Sequence, residues 1–116
     1  MKKTIAIALL AAGSFATSAL AADVPLEKIK EKAKTCAACH GEDGNATANA
    51  TYPRIAGQYH DYLARALHEY KSGDRKNPIM AGFVATLSED DIQGLSRYFA
   101  SLPGKLDDLS HHEQGD

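Results

Sequence analysis

Cysteine is scarce in this chain of 116 residues, which contains only Cys36 and Cys39. A structural zinc centre takes four Cys or His ligands, commonly as two spaced pairs. Here no second cysteine pair exists, and His60, His68, His111 and His112 are not set beside one. No strand stands out in the sequence, so the strand-to-helix setting of a thioredoxin-like redox pair is missing. A disulfide between positions three apart would close too short a loop to stabilise much. Basic excess is lacking as well: 13 Lys and Arg face 15 Asp and Glu, which argues against nucleic acid as a partner. Long apolar runs are confined to the N-terminus. The stretch from Thr4 to Ala22 covers 19 residues and is diluted by Gly13, Ser14, Thr17 and Ser18. That is marginal for a membrane span, and nothing later in the chain approaches one.

Residues 1–21 read instead as a secretory signal peptide. They run from Met1-Lys2-Lys3 through an apolar stretch, Ile5 to Ala12, to the small-x-small end Ala19-Leu20-Ala21. Cleavage is expected after Ala21, with Ala22 as the other site. The 95 residues that remain form one domain, 22–116, with 11 basic against 15 acidic side chains. Such a domain lies near the lower end of what one apolar core holds together. The expected compartment is the periplasm, with no stable membrane insertion once the leader is removed. The tail 110–116, Ser-His-His-Glu-Gln-Gly-Asp, is expected to be mobile and solvated.

Both cysteines belong to one run, Cys36-Ala37-Ala38-Cys39-His40. C-x-x-C-H is the spacing of covalent haem attachment, in which two thiols add to the haem vinyl groups and the adjacent imidazole binds the iron. Residues three apart share a helix face, so both sulfurs can meet one porphyrin edge. The cofactor expected is therefore a single haem c, thioether-linked to Cys36 and Cys39, with His40 as proximal iron ligand. Removing the leader also removes Met1, which leaves Met80 as the lone methionine. A thioether is a soft ligand, and a His/Met pair raises the reduction potential of haem iron. Methionine more often fills a core gap. The stretch Lys76-Asn77-Pro78-Ile79-Met80-Ala81-Gly82, however, reads as a polar, Pro- and Gly-punctuated loop, which favours Met80 as distal ligand.

Three helices are legible. The first is expected over residues 26–38, with Leu26, Ile29, Ala33 and Cys36 on one face and Pro25 suited to its first turn. Its Lys28, Lys30, Lys32 and Lys34 read as a solvated face, with partner docking as the other reading. The segment between Gly41 and Gly57 reads as a loop with a turn at Gly44-Asn45. The second helix is expected over 58–72, with Tyr59, Tyr62, Leu63, Ala66, Leu67 and Tyr70 at helical spacing and Gly73 as C-cap. His60 and His68 fall off its apolar stripe and read as surface side chains. The third opens at Ser88, with Glu89, Asp90 and Asp91 in its first turn, a Leu87–Ile92 staple, and a stripe of Ile92, Leu95, Phe99 and Leu102 that ends at Pro103-Gly104.

With these residues in place, the chain resembles the class I cytochromes c. It is most similar to the small bacterial monohaem c-553 type and to the single-haem halves of dihaem cytochromes c. The likeness runs from about Leu26 to Leu102 and rests on four segments. These are Cys36 to Gly41, Tyr52-Pro53-Arg54-Ile55-Ala56-Gly57-Gln58, Asn77-Pro78-Ile79-Met80, and Leu87 to Ile92. The resemblance implies an all-α fold, with three main helices and loops wrapped around one covalently attached haem, and the first and last helices crossing beside it. It implies that the Pro53 carbonyl accepts a hydrogen bond from the His40 ring, the kind of acceptor a ligating imidazole needs to fix its orientation. By analogy it assigns Arg54 to a haem propionate.

The function expected is that of a soluble periplasmic electron carrier, a monomer that meets larger redox proteins in brief complexes. Nothing in the sequence supplies a catalytic base beside an open iron, so an enzyme is not expected. Three alternatives stay open at this point. One is a haem-based ligand sensor, another a small peroxidase with an open iron site, and the third an electron-transfer subunit of a larger oxidoreductase.

Overall fold

The computed structural model describes residues 24–45 and 51–105. The signal peptide read over 1–21 and the tail 110–116 lie outside the described residues. Four helices follow one another: α1 (Leu26–His40), α2 (His60–Ser72), α3 (Pro78–Val84) and α4 (Glu89–Ser101). No strand occurs among the described residues. The last helix is the hub. It packs against both α1 and α2, while α3 packs against α2.

The α1–α4 crossing explains the position of the core. Ile29 and Ala33 of α1 are buried with Leu95 and Phe99 of α4, and Val24, Cys36, Ile55, Leu63, Leu87, Tyr98 and Leu102 pack around them. The helices approach closely because α4 carries glycine at the contact: a Cβ at Gly94 would stand 2.8 Å from Ile29 Cγ1. Leu26, assigned by its spacing to the buried face of α1, is instead 56% exposed. It begins the helix, one turn before Ile29 meets α4, so little is left to cover it.

The helix ends follow local chemistry. Ser88 caps α4, its hydroxyl accepting from the Asp91 N–H at 3.2 Å while its own N–H donates to Asp91 Oδ2 at 3.0 Å. This reciprocal capping box satisfies two donors that the first turn would leave open. At the end of α2, Gly73 takes the left-handed conformation and donates to Glu69 O. Both caps stand where the sequence reading set them.

The stretch around Met80 corrects that reading. It forms the two-turn helix α3 rather than a loop. Asn77 Oδ1 accepts from the N–H groups of Ile79 (3.0 Å) and Met80 (3.2 Å), and Pro78, with its preset φ, occupies the first helical position. Asn-Pro is itself a helix start signal, and it outweighs Gly82 further along.

Candidate haem-binding site

The last turn of α1 carries Cys36, Cys39 and His40. Neither cysteine is in a disulfide, and both are half-buried. Burial pushes the Cys36 thiol up from its ordinary value. Cys36 Sγ lies 3.9 Å from Lys32 O, one turn back on its own helix.

His40 is 8% exposed, and its Nδ1 lies 2.7 Å from Pro53 O. A carbonyl only accepts, so Nδ1 carries the proton and Nε2 keeps its lone pair. That is the tautomer an iron-ligating imidazole requires. Pro53 is thirteen residues away, in a segment that is hydrogen-bonded to Gly44 just beyond it. Gly44, at φ +71°, accepts the N–H groups of both Ile55 and Ala56 through its carbonyl, at 2.9 and 3.1 Å. A side chain at Gly44 would need this strained φ and would also meet Ala56 Cβ at 3.0 Å.

Asn45, read from sequence only as part of a turn, is the buried hub of this loop. Its side-chain amide donates to Pro103 O at 2.8 Å, and its Oδ1 accepts from the Lys105 N–H at 2.7 Å. The segment after α1 is thereby tied to the segment after α4. Arg54 Nε donates to the Asn45 carbonyl at 3.2 Å, so its side chain braces the same loop. Gly-Asn signals a turn, but sixty residues separate Asn45 from Lys105, and no local pattern reveals that partner.

Met80 sits half-buried in the first turn of α3, its N–H on Asn77. The structure thus brings Cys36, Cys39, His40 and Pro53 together and sets Met80 on a separate helix. Among the described residues α1 and α3 do not pack on each other; α1 reaches α3 only through α4 and α2. His60 and His68 are exposed, and His68 Nε2 lies 3.3 Å from Glu89 Oε2. No group of three or more His, Cys, Asp or Glu side chains among the described residues is placed to hold a metal ion.

These residues suit a haem. A free thiol pair three apart, an imidazole with one nitrogen pinned and a thioether make up its donor set. The apolar core is also thin. Among the described residues the buried apolar side chains larger than alanine are Ile29, Val84, Ile92, Leu95 and Phe99. Meanwhile Tyr59, Tyr62, Ile79 and Phe83 leave apolar surface exposed on and beside α2 and α3. A domain this small lacks apolar volume of its own, and a large planar apolar group supplies it.

Comparison with known proteins agrees. The Cytochrome c family profile matches residues 27–103, and the chain belongs to that family. It is 37% identical over 103 residues to cytochrome c-553 of Helicobacter pylori, covering 88% of this chain and 99% of that protein. It is also 43% identical over 70 residues to cytochrome c4 of Pseudomonas aeruginosa, covering 60% of this chain and 34% of the relative. The crystal structure of reduced recombinant cytochrome c4 from Pseudomonas stutzeri superposes with a TM-score of 0.58 at 33% identity, over 67% of this chain and 48% of that one. The chain therefore spans about a third to a half of the cytochrome c4 chains it matches. Its fold is the all-α class I cytochrome c fold, and its cofactor is covalently attached haem c.

Proposed function

We propose that this cytochrome c is a soluble periplasmic electron carrier holding one haem c through Cys36 and Cys39. In this reading His40 is the proximal and Met80 the distal iron ligand. Haem supplies a one-electron ferric/ferrous couple, and the chain's own residues set the conditions for it. Cys36 and Cys39 anchor the group on the last turn of α1. Pro53 holds the His40 ring in one tautomer and one orientation. Met80 would supply the second ligand to the iron, which would leave no open site for a substrate and make the protein a carrier rather than an enzyme. Arg54 braces the Pro53 loop, and a propionate contact from the same side chain is part of the proposal. The leader-like residues 1–21 direct export, and the partners are redox proteins met transiently by a monomer.

The observation that carries this reading is the 2.7 Å contact between His40 Nδ1 and Pro53 O, which leaves Nε2 as the only ring nitrogen able to bind a metal. The test is carbon monoxide binding by the purified reduced holoprotein at neutral pH. A protein with both axial positions filled takes up the gas slowly and weakly. A fast, tight complex overturns the distal assignment and the carrier reading with it.

A further inference from the structure

The axial side chains are held very unequally. His40 ends a fifteen-residue helix whose last turn carries both cysteines, and its ring is pinned by Pro53. Met80 rides on the seven-residue α3, reached by a short link after Gly73 closes α2. A thioether bound to iron competes with any external ligand, and it loses ground whenever the segment that carries it swings away. Something must therefore hold the link.

We propose that Arg75 is the positioning residue for Met80, clamping the α2–α3 link onto the tyrosine face of α2. The proposal rests on the reading of Met80 as distal ligand. The guanidinium carbon of Arg75 lies 5.3 Å from the centroid of the Tyr70 ring and 5.9 Å from that of Tyr62. Its Nη2 reaches the Tyr62 hydroxyl at 3.4 Å, and its Nε lies 3.7 Å from Glu69 Oε2. The Arg75 backbone N–H donates to Glu69 O at 3.0 Å, which ties the main chain to the same turn. Two residues on, Asn77 caps α3 and takes the N–H of Met80 itself. The path from α2 to the Met80 backbone thus runs through one side-chain clamp and one cap. Contacts to two rings suit arginine, because a planar cation spreads over ring faces in a way an ammonium does not.

The test is imidazole titration of the ferric holoprotein, followed by its absorption spectrum, for wild type, Arg75→Ala, Arg75→Lys, Arg65→Ala and Met80→Ala. Arg65 also lies over Tyr62, at 5.9 Å, but stands inside α2 and not in the link. Arg75→Ala is expected to tighten imidazole binding about tenfold, equivalent to about 1.4 kcal/mol. Arg75→Lys should fall between it and wild type, and Arg65→Ala should match wild type. If Arg75→Ala melts at lower temperature but binds imidazole within twofold of wild type, the residue is only structural and the proposal is overturned. Met80→Ala separates the two levels. If it tightens binding strongly while Arg75→Ala does not, the positioning role alone fails. If Met80→Ala also changes nothing, the ligand reading fails and the proposal goes with it. Should Arg75→Ala yield no holoprotein, Tyr70→Leu removes one of the two rings and carries the test. An increase of about threefold supports the clamp, and wild-type affinity overturns it.

Discussion

Lys32 Nζ donates to Asp91 Oδ2 at 2.8 Å, joining the middle of α1 to the first turn of α4. The same carboxylate closes the capping box with Ser88, so one buried Asp91 ties a helix start to a helix crossing. Lys32 therefore differs from its neighbours in the lysine run of α1. Lys30 and Lys34 pair with Glu27 and Glu31 on their own exposed helix face.

Stability should fall in acid through Asp91. Burial alone would raise its carboxyl, but the Lys32 ammonium and the Ser88 N–H and hydroxyl overcome this and hold it below the ordinary value. A carboxyl depressed on folding stabilises above its unfolded value, about 4, and that contribution is lost as pH falls through the lower folded value. Urea melts of wild type and Asp91→Asn should differ most near neutral pH and converge in acid. A gap that stays constant down to the acid limit would refute the assignment. The capping share of this contact is about 1 kcal/mol.

Gly94→Val should destabilise the protein by about 1–3 kcal/mol, the usual cost of overpacking. Its new methyl groups would enter the space held by Ile29 at the α1–α4 crossing. Chemical denaturation of the holoprotein measures it, and Gly82→Val serves as control because a Cβ there meets nothing within 4 Å.

Asn45→Ala should cost roughly 2 kcal/mol, since it removes the partners of the Pro103 carbonyl and the Lys105 N–H together. Amide exchange should quicken at Lys105 before it does in α2. Equal protection at Lys105 in variant and wild type would show that Asn45 is not the tie.

Met80→Ala should open the iron to external ligands and lower the reduction potential by on the order of 100 mV, within the roughly 0.8 V that axial ligands span. Redox titration and the oxidised absorption spectrum read both effects. An unchanged spectrum would remove Met80 from the iron.

Cys36→Ala should cut covalent haem attachment severely, leaving one thiol to react. Acid–acetone extraction measures it: pigment retained at the wild-type level would contradict the thioether at Cys36.

The sequence by itself determined what short-range rules govern. Helical spacing and caps placed α2 and α4 to within about two residues, because Ser88 and Gly73 act on backbone groups a few positions away. The Cys36-to-His40 run named the cofactor, because two thiols and an imidazole on one helical turn need no tertiary help to share a face. Even α3 was legible in principle, in the capping pair Asn77-Pro78. Tertiary structure decided the rest. The exposure of Leu26, the approach of Gly94 to Ile29, the Lys32–Asp91 bridge and the Asn45 tie to Lys105 all join segments far apart in the chain. Such contacts depend on where whole helices cross. The bond between His40 and Pro53 is of the same kind: the resemblance suggested the partners, but the hydrogen bonds of Ile55 and Ala56 to the Gly44 carbonyl are what hold the Pro53 segment beside the ring.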